Sequence, residues 1–586
     1  MVLETLGSLL NHCSKTKAFH NGISLHAVAI KAGMLCIINS NHTINMYSKC
    51  GKLILAHQLF DEMPKRNLVS WSALISGYDQ AGKHLMAIDL FKKMRTELWP
   101  NEFIFSSALS SCASLLEARL GQQIHAQAVR LGCSSISFVS NSLISMYMKC
   151  GECSDAMLVF SAGASWLSSV SYNAVIAGLV ENKQPEKGFE MYKIMCQKGL
   201  IPDRFTFMGV LGVCSSPRDM WRGMQLHCQI IKNKLDSMAT TGNILITMYA
   251  KFNLIEASEK VFRLLEEKDI ISWNTMITAF SHCEEHVKAL SVFQEMQTRV
   301  ALPDEFSYAT ALAASAGLAS MRLGKQIHAH LIRKRPDEDT GIGNALLNMY
   351  AKCGCIEYAY NVFNQMASRN LVTWNSIIAG LASHGLGERA LDTFECMKDA
   401  GMTPDSVTFV GLLSACNHAG LVDVGRGFFN CMDTIYAIPP DIEHFSCLID
   451  LLGRAGRLSE AEEYVQKYQF GHDPVVLGCL LSACRLHGDV VTGKRVASLL
   501  LGLQPITTSP YILLSNLYAS DGMWTDVAEA RTMLKGSGLK KEPGWSLIDV
   551  DGYLEKFTIG DFSHSRIEEM VNTLKTLKWT GDEDLL

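Results

Sequence analysis

Asparagine recurs at one fixed place along this chain, where its amide could form specific hydrogen bonds. Seven asparagines occupy the place, and a serine holds the equivalent eighth position: Asn41, Ser72, Asn141, Asn173, Asn243, Asn274, Asn344 and Asn375. The asparagine amide offers both a donor and an acceptor. The chemistry suited to such a series is recognition of hydrogen-bonding groups on a partner.

Helix capping is the structural alternative, because asparagine is a mediocre helix former but a good N-cap. In four of these segments, however, a hydroxyl residue stands two positions earlier: Ser70, Ser171, Ser272 and Thr373. We assign capping to those hydroxyls. The recurrence of asparagine at this position then needs another explanation, and we favour a functional one.

A second polar position recurs about 30 residues further along the chain. It always holds asparagine, aspartate or serine: Asn67, Asn101, Ser168, Asp203, Asp269, Asp304, Asn370 and Asp405. Several of these residues follow proline, where a turn preference explains them equally well. Taken singly, each of these residues can be explained either by a turn or by a function in recognition.

Both series follow a longer period that indicates an array of helical hairpins. Tyr47, Tyr147, Tyr249 and Tyr350 in Met-Tyr-x-Lys segments lie 100, 102 and 101 residues apart. Within 371–405, apolar residues recur at helical spacing in two stretches separated by a glycine-containing break. Two helices of about three turns cannot bury their apolar faces alone, so neighbouring hairpins must stack. The sequence therefore predicts an all-α solenoid.

Composition narrows the possible functions. Of 586 residues, 48% are hydrophobic and 19% charged, and the net charge is −5, which excludes a sequence-blind electrostatic binder of nucleic acid. The 19 cysteines have no spaced framework and are interpreted as reduced thiols. No apolar run reaches membrane-spanning length, and the N-terminal segment lacks arginine and is a poor transit peptide.

These motifs resemble the plant pentatricopeptide repeat family, in the subclass that alternates long, short and standard motifs. The resemblance rests on Trp-Asn-Ser-Ile-Ile-Ala-Gly at 374–380, Val-Phe-Asn-Gln-Met at 362–366 and Met-x-x-x-Gly-x-x-Pro-Asp at 397–405. It implies a right-handed superhelical solenoid of about 14 repeats over 1–473, a degenerate repeat-like E module over 474–541 and an E+-like extension and tail over 542–586. The tetratricopeptide alternative does not predict the short units or the Pro-Asp endings.

The resemblance also implies that the two polar positions together read one base of single-stranded RNA. Asn173/Asp203, Asn243/Asp269, Asn274/Asp304 and Asn375/Asp405 then prefer U, and Asn41/Asn67, Asn141/Ser168 and Asn344/Asn370 prefer a pyrimidine. Ser72/Asn101 suggests A, and Ser446/Asp473 suggests G. The long motifs put Gly7, Ser106, Met208, Ala309 and Val410 at the first position, so they are expected to be spacers or weak readers.

The repeated aromatic and histidine residues are interpreted as packing residues. Trp71, Trp273 and Trp374 could stack on bases, but they lie on the apolar stripe, which favours the core. The histidines at 26, 125, 227 and 328 follow leucine or isoleucine on apolar helices and are expected to be packed rather than catalytic.

We expect no enzymatic activity, cofactor or metal. Relatives often end in a deaminase with His-x-Glu and Cys-x-x-Cys zinc ligands. His282-Cys-Glu284 and Cys150-Gly-Glu-Cys153 match by letter only, inside repeats. Two helical hairpins are expected over 474–541, anchored by 516–518 and Trp524, and a β-hairpin over 546–559 around Asp551-Gly552. The segment at 560–569 resembles the far edge of the family's extension, and we expect the residues after it to be too few for a zinc fold.

The resulting hypothesis is a sequence-specific RNA-binding factor that selects cytidines for C-to-U editing in organelle transcripts. Its target would be U-biased and pyrimidine-rich, and a deaminase-bearing protein would act in trans. The resemblance favours the mitochondrion, with the chloroplast as alternative. Two other functions stay open: an organelle RNA-binding factor for stability, splicing or translation, and a protein-binding scaffold.

Overall fold

A computed structural model describes residues 2–163, 167–214, 216–299, 302–334, 339–503, 507–539, 544–550, 553–558 and 566–580. This part of the chain contains 33 α-helices, two β-strands and two short 3-10 turns. It divides into two compact units, Met1–Cys283 and Glu284–Leu586. The prediction of an all-α solenoid of helical hairpins is confirmed.

The first unit consists of helices α1 to α17. Their bounds are α1 Val2–Thr16, α2 Phe19–Lys31, α3 Ile37–Lys49, α4 Leu53–Glu62, α5 Leu68–Gln80, α6 His84–Met94, α7 Glu102–Leu115, α8 Ala118–Arg130, α9 Ser137–Lys149, α10 Cys153–Ala162, α11 Ser169–Glu181, α12 Pro185–Gln197, α13 Arg204–Leu211, α14 Met220–Lys232, α15 Ala239–Lys251, α16 Ile255–Leu264 and α17 Ile270–His282. A 3-10 turn, Pro217–Asp219, precedes α14.

The second unit consists of helices α18 to α33 and the two strands. The helices are α18 His286–Thr298, α19 Glu305–Gly317, α20 Met321–Lys334, α21 Thr340–Lys352, α22 Ile356–Gln365, α23 Leu371–Ser383, α24 Gly387–Asp399, α25 Ser406–Ala419, α26 Val422–Thr434, α27 Ile442–Arg454, α28 Leu458–Lys467, α29 Pro474–His487, α30 Val490–Gly502, α31 Ser509–Ser520, α32 Trp524–Gly536 and α33 Ile567–Thr580. The strands are β1 Trp545–Val550 and β2 Tyr553–Thr558, and a 3-10 turn, Gln469–His472, precedes α29.

In both units the odd-numbered helices up to α31 are the first helices of hairpins, and they pack on one another. In the first unit α3 packs on α5, α5 on α7 and α7 on α9, and in the second unit α19, α21, α23, α25 and α27 continue the same way. Within each unit the first helices also contact their own second helices, as α11 does α12. Because no hairpin has a core of its own, burial is shared between neighbours.

The repeated aromatic residues are core residues, as predicted. Trp71, Trp273 and Trp374 are at most 5% exposed. Each meets a phenylalanine of the preceding second helix edge to face, with ring centroids 4.7–5.1 Å apart. This geometry is favourable for aromatic pairs. It leaves these tryptophans buried and unable to stack on a base.

The repeated histidines join neighbouring hairpins through hydrogen bonds to the repeated tyrosines. His26, His125, His227 and His328 lie 2.8–2.9 Å from the hydroxyls of Tyr47, Tyr147, Tyr249 and Tyr350 through their Nδ1 atoms. Burial lowers the pKa of all four histidines, so the folded state favours the neutral ring. The prediction that they are packed is confirmed, and the bond to tyrosine adds a reason for it.

The Met-Tyr-x-Lys-Cys-Gly segments end their helices with a left-handed residue. Gly51, Gly151 and Gly354 have φ of 74°, 84° and 80°. In the third copy Asn253 takes this place with φ of 58°. Asparagine is the residue that best tolerates this conformation after glycine, so the turn survives the change.

The C-terminal part of the second unit contains the two expected hairpins, α29–α30 and α31–α32, and an antiparallel pairing of β1 with β2. Tyr518 is buried, as an anchor should be. Trp524 is 69% exposed, so the prediction that it anchors the core is wrong: as the first residue of α32 it lies outside the packed face. The expected turn at 551–552 and the segment 560–565 lie outside the described residues.

Within the described ranges, no helix is long and apolar enough to cross a membrane. The same part of the chain contains no group of three histidine, cysteine, aspartate or glutamate residues placed to hold a metal.

Candidate nucleic-acid interface

The asparagine series occupies a single helical position. Each member is the fifth residue of a first helix, well past the N-cap. The members are Asn41, Asn141, Asn173, Asn243, Asn274, Asn344 and Asn375, and Ser72 and Ser446 hold the same position. The prediction that these asparagines are not caps is therefore correct.

The caps themselves were assigned to the wrong residues. Ser70, Ser171, Ser272 and Thr373 are the third residues of their helices, not the N-caps. The N-caps are the residues of the second polar series, such as Asn67, whose Oδ1 accepts from the Ser70 N–H at 3.0 Å. The Ser70 hydroxyl accepts in turn from the Asn67 N–H at 3.3 Å. This reciprocal arrangement is a capping box.

In two standard motifs the two polar positions form one hydrogen-bonded unit. Asn173 donates from Nδ2 to the Asp203 carboxylate at 2.9 Å, and its Oδ1 accepts from the Thr206 hydroxyl at 2.6 Å. The Asp203 carboxylate also accepts from the Thr206 N–H at 2.9 Å. The fifth residue of one helix is thus tied to the first turn of the next first helix.

The second such unit repeats the geometry in the other half of the chain. Asn375 donates to Asp405 at 3.0 Å and accepts from Thr408 at 2.7 Å. Burial alone would raise the pKa of Asp405, but hydrogen bonds from the Thr408 N–H, the Thr408 hydroxyl and the Asn375 amide outweigh it and lower that pKa. Asp405 is therefore a charged acceptor at neutral pH.

Three short-motif pairs are joined more variably. Asn41 donates to Asn67 at 3.2 Å and accepts from Ser70 at 2.6 Å. Asn141 accepts from the Ser171 hydroxyl at 2.8 Å, beside the Ser168 cap. Asn344 donates to Asn370 at 3.4 Å, and among the described residues its Oδ1 has no hydrogen-bond partner.

Among the described residues, three further pairs do not form the same unit: Ser446/Asp473, Asn243/Asp269 and Ser72/Asn101. Ser446 donates to the Ile442 carbonyl at 2.7 Å, and Asp473 instead caps α29 through the Val475 N–H at 2.8 Å. In the described part of the chain, Asn243 Oδ1 is buried without a partner. Asp269 caps α17, and Asn101, the partner expected for Ser72, caps α7. Asn274 lies in the first unit, where it is buried, and Asp304 caps α19 in the second.

Comparisons with known proteins agree with this repeating geometry. A protein-family model described as "PPR repeat" matches residues 41–68, 69–97, 138–162, 243–270, 344–371 and 443–468. A second family model, described as "PPR repeat family", matches residues 167–216, 268–316 and 369–418. A third, "E motif", matches 487–549. A pentatricopeptide repeat-containing protein of Arabidopsis thaliana is 34% identical over 99% of this chain and 85% of its own length. The chain belongs to the pentatricopeptide repeat family.

Another Arabidopsis thaliana pentatricopeptide repeat-containing protein is 38% identical over 95% of this chain. Here the chain spans only 57% of the relative's length. Among solved structures, the pentatricopeptide repeat protein PPR10 in complex with an 18-nt psaJ RNA element aligns with a TM-score of 0.55 and 17% identity, over 91% of this chain and 84% of that one. That likeness supports the shared solenoid fold.

A row of exposed apolar residues accompanies the polar pairs of this pentatricopeptide repeat protein and was missed in the sequence. In eleven of the first helices the second residue is large, apolar and about half exposed or more: Ile38, Val69, Phe103, Phe138, Val170, Phe205, Ile271, Phe306, Val372, Val407 and Val475. Residues three apart share a helix face, so each lies beside the fifth residue of its own helix. The sequence feature that could have predicted this row was an apolar residue that recurs outside the buried stripe of each helix.

A row of basic residues also went unassigned. The short motifs place one eight residues after their fifth helical residue, at Lys49, Lys149, Lys251, Lys352 and Arg454, and each lies at the end of its helix, at least partly exposed. Eight residues is about two helical turns, which keeps the basic group on the face of the polar pair. The Lys in the Met-Tyr-x-Lys repeat was the available signal.

Proposed function

We propose that this protein is a sequence-specific reader of single-stranded RNA. The observation that carries the proposal is the joined unit of Asn173 with Asp203 and of Asn375 with Asp405. Each side chain keeps unused hydrogen-bonding capacity, since the amide has a second N–H and the carboxylate a second oxygen. Such a pair can recognise one base edge.

The surroundings of the pair supply the other parts of an RNA site. The exposed apolar row, such as Val170 beside Asn173, offers contact for the faces of bases. The basic row, such as Lys149, offers charge for phosphates at intervals of about three motifs. With a net charge of −5, affinity must come from these placed groups rather than from a general basic field.

The base preferences belong to the same proposal. Pairs of asparagine with aspartate would select U, pairs with asparagine or serine a pyrimidine, and the target would be U-biased. The related solenoid of PPR10 was solved in complex with an RNA element, which supports RNA as the ligand class. A discrimination of about 1–3 kcal/mol per mismatched base is the ordinary scale for edge reading.

We further propose that the RNA is an organelle transcript and that binding selects a cytidine for C-to-U editing. Relatives from Arabidopsis thaliana carry mitochondrial or chloroplastic designations, which supports an organelle, with the mitochondrion proposed first. The E-motif match at 487–549 is consistent with editing. The reaction itself would be performed by a deaminase-bearing partner.

The experiment is a comparison of plants with and without the protein. Sequencing of all organelle transcripts should show one or a few cytidines that lose editing in its absence and regain it on complementation. Normal editing at every site would contradict the editing role. Altered transcript levels or splicing with intact editing would instead indicate an RNA-binding role in stability or processing.

A further inference from the structure

The third residue of the following first helix contacts the reading asparagine in some pairs but not in others. The Thr206 hydroxyl lies 2.6 Å from Asn173 Oδ1 and 3.0 Å from the Asp203 carboxylate, and the Thr408 hydroxyl lies 2.7 Å from Asn375 Oδ1 and 2.9 Å from the Asp405 carboxylate. The asparagine oxygen is the nearer acceptor in both cases. Both threonines are fully buried. Neither is one of the two polar positions that read a base.

Thr373 shows the other arrangement within the same kind of capping box. Its hydroxyl donates to Asn370 Oδ1 at 3.0 Å and accepts from the Asn370 N–H at 3.2 Å. The neighbouring Asn344 Oδ1 is left buried without a partner in the described part of the chain. Thr206 and Thr373 therefore share the cap and differ in their contact with the asparagine amide.

Contact from the hydroxyl fixes which way the amide faces. The two ends of an asparagine amide are nearly equal in shape, so a 180° flip is opposed only by hydrogen bonds. A flip of Asn173 would turn Oδ1 toward the Asp203 carboxylate and take the acceptor away from Thr206. A flip of Asn344 loses only the long 3.4 Å hydrogen bond from its Nδ2 to Asn370, and it turns Oδ1 toward a neutral amide rather than a carboxylate.

We propose that Thr206 and Thr408 are positioning residues that restrict their asparagines to donating toward the base. This inference rests on the proposed reading of RNA by these pairs. Uracil presents the O4 acceptor beside the N3–H donor, whereas cytosine presents the N4 amino donor beside the N3 acceptor. A fixed donor beside a carboxylate matches uracil. The amides of Asn41 and Asn141 are held in the same way by Ser70 and Ser171, but they stand beside the neutral caps Asn67 and Ser168, which do not require the N3–H of uracil. An amide that can flip, as at Asn344, accommodates either pyrimidine.

The test removes the hydroxyl and measures base preference. The full chain is used to select from a pool of random single-stranded RNA, and the bound RNA is sequenced. Asn173→Ala first identifies the nucleotide read by that pair. Thr206→Val should then lower the U-to-C ratio at that nucleotide by about fivefold or more, while Thr206→Ser retains the wild-type ratio. Thr373→Val, which removes the same hydroxyl from the same capping box, should leave every ratio unchanged.

The outcomes distinguish a positioning role from a stabilising one. A change at one nucleotide, reproduced by Thr408→Val at the nucleotide of the Asn375 pair, supports the inference. Equal weakening for all bases, or equal effects of Thr206→Val and Thr373→Val, would overturn it. If Asn173→Ala changes the preference and Thr206→Val does not, the inference alone fails. If the wild-type protein enriches no sequence, the proposed function fails with it.

Discussion

At the scale of single residues, the second polar series performs two tasks with one side chain. Asp405 caps α25 through the Thr408 N–H at 2.9 Å and also accepts from Asn375 at 3.0 Å. A helix N-terminus favours an acceptor at the cap, so capping alone accounts for the residue types seen here. The cap and the proposed base-reading pair therefore involve the same side chain.

Substitution separates the two tasks. Asp405→Ala should lower the free energy of unfolding by about 1 kcal/mol because the cap is lost. Asp405→Asn should change it by only a few tenths of a kcal/mol, since asparagine caps equally well. Urea unfolding followed by circular dichroism measures both. Equal losses in the two variants would contradict the assignment of Asp405 as the N-cap.

The sequence predicted where the polar residues recur but not which of them caps. Asn67 and Ser70 are three residues apart, and either type is a good cap. Only the backbone angles decide, because Asn67 is extended, with φ of −121° and ψ of 176°, and Ser70 is helical. The hydrogen bond between Asn173 and Asp203 likewise could not be predicted, since it depends on how closely two helices approach.

At the scale of helices and hairpins, the register between neighbours depends on glycines that face methionines. Gly324 in α20 faces Met349 in α21 so closely that an added Cβ would lie 2.2 Å from the Met349 sulfur. Gly121 faces Met146 in the same way in the first unit, at 2.4 Å. The Met of each Met-Tyr-x-Lys segment thus fills the space that the preceding second helix leaves open.

Gly324→Ala should therefore destabilise the protein, by about 1–3 kcal/mol, because the added methyl overpacks this contact. Gly427 in α26 is the matched control, since an added Cβ there meets nothing within 4 Å. Gly427→Ala should be neutral or stabilising, by up to about 1 kcal/mol. Thermal unfolding compares the two. Equal midpoints would contradict the close packing at Gly324.

The histidine–tyrosine contacts make stability depend on pH. Burial lowers the pKa of His125 in the folded protein, so the unfolded chain binds protons first as pH falls through about 6.5. The free energy of unfolding therefore decreases as the pH falls from about 6.5 to the pKa of His125 in the folded protein. The thermal unfolding midpoint should therefore be lower at pH 5.5 than at pH 7.5.

Replacing His26, His125, His227 and His328 by glutamine should reduce that fall, while His20→Gln at an exposed position should not. An identical pH dependence in both variants would show that the acid sensitivity arises elsewhere. The sequence predicted that these histidines pack. It could not predict the tyrosine partner, which is 21 or 22 residues away on another hairpin.

At the scale of the whole molecule, the chain repeats one arrangement of two polar positions with variations. The all-α solenoid of hairpins could be predicted from the period, because every hairpin needs its neighbours. The apolar and basic rows recur in the sequence, but their exposure could not be predicted from it. An apolar residue in an array is ordinarily a core residue, and exposure is a property of the stack.

The basic row should set the salt dependence of RNA binding. Lys149→Ala should weaken binding to all sequences alike and reduce the slope of log affinity against log salt by about 0.7, the value for one phosphate contact of a single strand. Lys93→Ala, on the second helix α6, is the control and should leave the slope unchanged. Equal effects of the two variants would indicate a non-specific contribution of charge.

The central claim is that each polar pair reads one base, and Asp405→Asn tests it most directly because this change keeps the cap. Wild-type protein and variant are each used to select from random single-stranded RNA, and the base frequencies of the bound RNA are compared. We predict a U-biased, pyrimidine-rich motif for the wild type. In the variant, U should decline relative to C at one nucleotide and stay unchanged at the others. Identical motifs, or no enriched motif for the wild type, would contradict the account.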